Sequence, residues 1–335
     1  MKNIKTILLI LLIVTAGVAA YYLSKGTSKS KELESTTLTA DRGFSFYEIE
    51  KITTISLKRK DYPELVFTKK GNEWLINNKF RANMETMKYF ITVLKGVTMK
   101  YIPPNSMVEN LKNDINKNGI VVKLYQGDEK VRHYSVGTEF GDGSDTPYMM
   151  EGGDQPYMMY LPGFDGSVRR RMSFNMAEWR SKIVFEEDPE MIKSLEVNYL
   201  QDKKSSFTIT RFNDGFKITN GAGQLDPRTV NNNTVGAYLD FYRDIRAEYN
   251  DTDNAERPNI LKNQRFCTIT IIYKDNNQRS FDFYSYGDLL GDFVTTSPSD
   301  INPDNKFFVL SPEKELFLLQ QRVVGKILRP IWFFF

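Results

Sequence analysis

Ile55-Ser56-Leu57, then Leu65-Val66-Phe67, a turn at Gly71, and Trp74-Leu75-Ile76 decide how this chain folds, because a second set follows the same plan. The second set is Leu195-Glu196-Val197, Phe207-Thr208-Ile209, a turn at Asp214-Gly215, and Phe216-Lys217-Ile218. Short β-branched and aromatic runs around a glycine turn read as strands and hairpins. In both halves a helical stretch comes next, then a second hairpin ending in Tyr-x-x-Gly, at Tyr134–Gly137 and Tyr284–Gly287. A repeat of this length sets the architecture before any single element is assigned. The expectation is an α+β protein of two tandem, internally duplicated domains, residues 44–187 and 188–335. Each is expected to be a mostly antiparallel sheet packed by helices. Asp188-Pro189 marks the junction.

Within the first copy, Asn83 can cap a helix whose apolar face is Met84, Met87, Phe90, Ile91 and Leu94, with Gly96 as stop. Pro103-Pro104 breaks the chain, and Met107 to Lys117 reads as a short helix. Met176 to Ile183 reads as a closing helix with Trp179 inward. In the second copy Asp226-Pro227 is expected to open a helix. Leu316, Leu319, Val323 and Ile327 place a last helix over about 314–328.

The N-terminus reads differently. Met1-Lys2-Asn3-Ile4-Lys5 precedes an apolar run from Thr6 to Leu23 that ends on Tyr21-Tyr22-Leu23. Eighteen helical residues span about 27 Å, close to the hydrocarbon thickness of a bilayer. Lysines before the run and aromatics at its far end suit a membrane anchor with the rest exported. Val18-x-Ala20 also fits a cleavage site, so residues 1–23 are an anchor or a signal segment. Residues 24–43 shift to Ser, Thr, Lys and Glu. They read as a flexible tether with a mean span of roughly 25 Å.

Composition excludes several functions. The net charge of +3 favours no nucleic-acid partner. One cysteine (Cys267) and one histidine (His133) exclude an internal disulfide and a His/Cys zinc site. Cys267 lies in the alternating run Cys267-Thr268-Ile269-Thr270-Ile271, which reads as core. No phosphate-binding glycine loop and no nucleophile elbow is present. Glu139, Asp142, Asp145, Glu151 and Asp154 share a Gly/Asp-rich loop whose residue types suit calcium but whose spacing matches no EF-hand. Turn chemistry explains that loop. No catalytic residue, cofactor or metal is expected.

Two features suggest contact with a partner. Pro147-Tyr148-Met149-Met150 and Pro156-Tyr157-Met158-Met159 form an expected hairpin around Gly152-Gly153. Tyr and Met are common at adaptable binding surfaces. The C-terminus, Trp332-Phe333-Phe334-Phe335, is apolar and needs cover. Tyr148, Met149, Tyr157, Met158, Trp332 and Phe333 are therefore the candidate contact residues, with core packing as the competing reading.

The chain also resembles an uncharacterised bacterial family common in Bacteroidetes, whose members are membrane-anchored or exported. Related regions occur in auxiliary proteins of gliding-motility ABC exporters. The resemblance rests on Ile52-Thr53-Thr54-Ile55, Asn72-Glu73-Trp74-Leu75-Ile76-Asn77 and Asn118-Gly119-Ile120-Val121-Val122. It continues through Tyr134-Ser135-Val136-Gly137, Pro156-Tyr157, Pro162-Gly163-Phe164 and Trp179-Arg180. It covers most of the chain from about Phe46 and implies no catalytic residues. Together these readings give an expected function. The chain is a membrane-tethered, periplasm-facing interaction or scaffold module of an envelope assembly or transport complex. The alternative is a small-ligand receptor or enzyme using a cleft between the two domains.

Overall fold

A computed structural model of the chain describes residues 42–141, 143, 145–213, 215–262, 265–285 and 305–335. The expected anchor and nearly all of the tether lie outside the described residues, as do Asp142, Asp214 and Gly287. The fold is mixed α+β, with mostly antiparallel sheets and few helices.

The first half forms β1 (Thr54–Arg59), β2 (Leu65–Lys70), β3 (Glu73–Ile76) and β4 (Phe80–Arg81). It continues with α1 (Met84–Gly96), β5 (Thr98–Tyr101), α2 (Asn105–Asn118), β6 (Ile120–Gln126) and β7 (Glu129–Val136). Then come β8 (Thr146–Met150), β9 (Tyr157–Tyr160), α3 (Met176–Trp179) and β10 (Ile183–Phe185). The second half forms β11 (Ile192–Tyr199), β12 (Phe207–Phe212), β13 (Gly215–Asn220), α4 (Asn232–Asp240), β14 (Ile245–Arg246) and β15 (Tyr249–Asn250). It closes with α5 (Arg257–Lys262), β16 (Arg265–Tyr273), β17 (Gln278–Ser285), β18 (Lys306–Leu310), β19 (Leu316–Gln320) and α6 (Gln321–Val324).

The larger sheet has the order β4-β3-β2-β1-β6-β7-β8-β9-β5, and the second has β13-β12-β11-β16-β17-β18-β19-β15. Strand for strand the two orders correspond. Among the described residues only β4 lacks a full counterpart, and a single bridge from Thr219 to Leu225 stands in its place. Register corresponds too. Ile76, Phe67, Ile55 and Leu124 face one another across four strands and end on Arg132. Ile218, Ile209, Leu195 and Ile271 do the same and end on Arg279. All eight apolar residues in these rows are buried. A one-residue slip in either sheet would turn its row to solvent, so burial fixes the pairing.

Each sheet is covered on both faces at one end. On the inner face α1 lays Met87, Phe90, Val93 and Leu94 into the first core. Asn83 caps it as expected, its side-chain oxygen accepting from Glu85 N at 3.0 Å. The helix α4 lays Val235, Tyr238 and Leu239 into the second core, capped by Asn231. On the outer side α5 brings Ile260 against Phe308, Leu310, Leu316 and Leu318. In the first half α2 contacts β8 on that side, with Leu111 and Ile115 buried.

Three stretches fold differently from the sequence reading. The helix expected over 314–328 is the strand β19 followed by the single turn α6. Phe317 and Leu319 point into the main core while Leu316 and Leu318 point into the outer cluster. A strand buried on both faces is continuously apolar, so its period cannot be told from that of a helix. Asp226 caps nothing helical. Its carboxylate holds Arg228 at 2.6 Å, and the helix starts at Asn232. The helix over 176–183 stops at Trp179, because Arg180 bridges to Ala82 and β10 pairs with β14. Trp179 belongs to the first core but Val184 and Phe185 belong to the second. Packing therefore changes hands between 179 and 184.

Candidate functional site: a cleft at the junction

The candidate contact residues are mostly inside. Tyr148 and Met158 are fully buried. Tyr148 and Tyr134 stack at 5.4 Å, and Phe44 meets Tyr134, Tyr148 and Tyr157 with its ring edge-on at 5.3 to 6.1 Å. The Tyr–Met hairpin thus packs on the chain's own entry segment. Ser45 and Phe46 tie that entry segment to β7 and α1: Ser45 O accepts from Arg132 Nε at 3.1 Å, and Phe46 N donates to Leu94 O at 2.8 Å. Met149 and Tyr157 are half-buried. At the C-terminus Phe334 is buried and Phe333 packs half-buried against the core. Trp332 alone of the six candidates is largely exposed, at 48%.

The other sequence candidates are also structural. Cys267 is buried in the core, which pushes its thiol well above the usual range. His133 sits 3.5 Å from Glu151, and partial burial lowers its pKa. Asp145 is held by Lys100 at 2.6 Å and Glu139 lies 3.6 Å from Arg170. Among the described residues no three His, Cys, Asp or Glu converge as metal ligands. Arg169 donates to Val136 O and Asn118 O, which makes it a main-chain brace.

What sequence reasoning missed lies at the junction. The segment from Arg180 to Glu186 runs between the cores and forms one wall of a cleft of about 390 Å3. Its apolar floor is Leu75 and Phe80 from the first sheet, Ile183 and Val184 from the segment, and Phe317 from the second sheet. That volume and mixture suit a small ligand or a short stretch of chain. A second hollow of about 330 Å3 shares Arg81, Ser181, Ile183 and Glu186 with it.

Charges at the rim are closed in pairs. Arg81 binds Glu186 and Glu73, both at 2.6 Å. Arg279 binds Glu187 at 2.9 Å and Glu313 at 3.1 Å. Lys79 lies over the Phe80 ring and has no carboxylate partner among the described residues.

At the base a polar chain crosses between the halves. Asn250 Nδ2 donates to Ser181 O at 3.1 Å and to Glu315 Oε1 at 3.0 Å. Ser311 Oγ accepts from Glu315 N at 3.2 Å. Burial raises the Glu315 pKa, the Asn250 bond and the Arg180 charge oppose the rise, and Glu313 adds to it. Beneath the floor Arg180 is 3% exposed, with its guanidinium 3.7 Å from the centre of the Phe80 ring. Its Nη2 binds Asp253 at 2.8 Å, while Nε and Nη1 are buried without a partner among the described residues.

Chemically the cleft combines an apolar floor, ion-paired rims and hydroxyl groups at its base. No motif announces it, because its residues come from four distant stretches, 75–81, 181–186, 279 and 311–317. Compared with models of known families, with curated proteins and with solved structures, the chain matches none.

Proposed function

We propose that this chain is a membrane-tethered, non-catalytic binding module of the cell envelope, made of two copies of one domain, whose partner enters the cleft between them. The matched strand orders and registers support two copies of one unit. The apolar run from Thr6 to Leu23 supports the tether and a folded part on the periplasmic side. The resemblance in sequence supports an envelope assembly or transport setting.

The observation that carries the binding role is the cleft itself. It is built from both halves, floored by apolar side chains and rimmed by ion pairs that leave no strong net charge. Burial of the Tyr–Met hairpin moves the proposed contact away from that hairpin and into the cleft.

Purification of the tagged full chain from native membranes tests the reading. Leu75→Lys places a charge on the cleft floor and is expected to release a co-purifying envelope protein at an unchanged melting temperature. Retention of the same partner by that variant would contradict the cleft as the contact. The receptor-or-enzyme alternative draws on one observation, the raised pKa of Glu315 in the cleft. Turnover abolished by Glu315→Gln would favour it.

A further inference from the structure

The base of the cleft holds hydroxyl donors that the fold does not use. Ser181 Oγ accepts from Ile183 N at 3.3 Å, and Ser311 Oγ accepts from Glu315 N at 3.2 Å. Neither hydroxyl donates to an acceptor among the described residues, and both side chains are more than nine-tenths buried, at 6% and 4% exposure. A hydroxyl carries one donor and two acceptor sites, so each has a proton to offer. Glu315 stands between them in the polar chain, one carboxyl oxygen accepting from Asn250. In its protonated form Glu315 would add a third donor.

Acceptors and charges are in the opposite condition. Glu186 and Glu313 are closed by Arg81 and Arg279, and those arginines are in turn closed by them and by Glu73 and Glu187. An anionic ligand finds a partner without a carboxylate of its own only in Lys79 at the rim, and a cationic one must compete with Arg81 and Arg279 for carboxylates they already hold. A ligand rich in neutral acceptors finds several donors at the base. The floor of Leu75, Phe80, Ile183, Val184 and Phe317 calls for apolar groups beside those acceptors. Main-chain carbonyls flanked by aliphatic side chains combine both features.

We propose that the junction cleft binds an extended, uncharged peptide segment with apolar side chains, its main-chain carbonyls accepting from Ser181 and Ser311. This rests on the binding-module reading and names the chemistry of the partner. The charged groups around Glu315 are Arg180 on the connecting segment, and Glu313 with its partner Arg279 at the rim. Glu315 donates while protonated. Above its raised pKa it becomes an acceptor facing a carbonyl, and affinity falls.

The test uses the full chain with carbon-13 methyl spectra of Ile183 and Val184, and acetyl-Ala-Val-Ala-Val-amide as probe. Saturable shifts at those methyls are expected. The double variant Ser181→Ala/Ser311→Ala should weaken binding about tenfold or more. Raising the pH above the ordinary glutamate range should weaken binding to the wild type but not to Glu315→Gln, whose amide donates at every pH. The pH comparison keeps the proposal exposed to failure even where the double variant does not fold. Absence of saturable shifts overturns it, and so does response of the same methyls to decanoate but not to the capped peptide. A chain that loses its membrane partner through Leu75→Lys yet ignores the capped peptide keeps the binding role and loses this ligand class.

Discussion

Trp179 and Phe334 stand at the same place in the two halves. The main-chain N–H of Asn83, the cap of α1, donates to Trp179 O at 2.6 Å, and that of Asn231, the cap of α4, donates to Phe334 O at 2.9 Å. Each ring then fills the space between helix and sheet. Trp179 lies 4.7 Å from Phe67 and 5.5 Å from Phe90, and Phe334 lies 4.9 Å from Phe207 and 5.0 Å from Tyr238. An aromatic residue after the last strand closes each core.

Truncation of either closing ring should therefore be costly. Phe334→Ala and Trp179→Ala are each expected to lower stability by about 3–5 kcal/mol. Trp332→Ala, at an exposed neighbouring position, should change it by roughly 0.5 kcal/mol or less. Denaturant unfolding of the three variants checks this. Equal effects at 332 and 334 would mean that the C-terminus is not packed as described.

The buried hydroxyls of Tyr134 and Tyr148 have no hydrogen-bond partner among the described residues. Leaving such a group buried and unmatched costs about 1–3 kcal/mol. Tyr148→Phe keeps the ring contacts with Phe44 and Tyr134 and removes the hydroxyl, so its melting temperature should rise. Tyr148→Ala should fall sharply. A drop for Tyr148→Phe would reveal an internal water or partner at that hydroxyl.

Glu315 gives a pH signature of known sign. Its folded pKa lies above its unfolded value of about 4.5, so the folded state binds the proton more tightly. Its contribution is fully favourable below the unfolded pKa and is lost as pH rises through the folded pKa. Glu315→Gln should be more stable than the wild type at neutral pH, and the difference should vanish in acid. Melting curves from pH 3 to 8 decide it, and an advantage that grows in acid would reverse the assignment.

Arg180 is a buried cation whose only ion-pair partner among the described residues is the exposed Asp253. Replacing a poorly satisfied buried charge by an apolar side chain of similar length is often neutral or stabilising. Arg180→Met should keep or raise the melting temperature, whereas Arg180→Ala also loses the stem over Phe80 and should lower it. Equal damage from both variants would assign the stability to the charge.

How far the sequence could be read depended on how local the signal was. Both first hairpins were legible because Gly71 and the 213–215 turn interrupt alternating runs. Asn83 was legible as a cap because a helical face starts beside it. The strand β19 was not, because Leu316-Phe317-Leu318-Leu319 is apolar on both sides and mimics a helix. The Tyr–Met hairpin was found, but its partner Phe44 lies a hundred residues away in the sequence and carries no mark of that contact. The cleft was invisible for the same reason. Ser181, Asn250, Ser311 and Glu315 are unremarkable singly and gain meaning only when the two halves meet.

The most direct measurement is site-specific photo-crosslinking in native membranes. A benzoylphenylalanine at Lys79, on the cleft rim, should form an adduct with another envelope protein. The same probe at Lys58, exposed on the first sheet, should not. The Lys79 adduct should disappear when Leu75→Lys is added. No adduct at Lys79, or equal adducts at 79 and 58, would contradict a partner bound in the junction cleft.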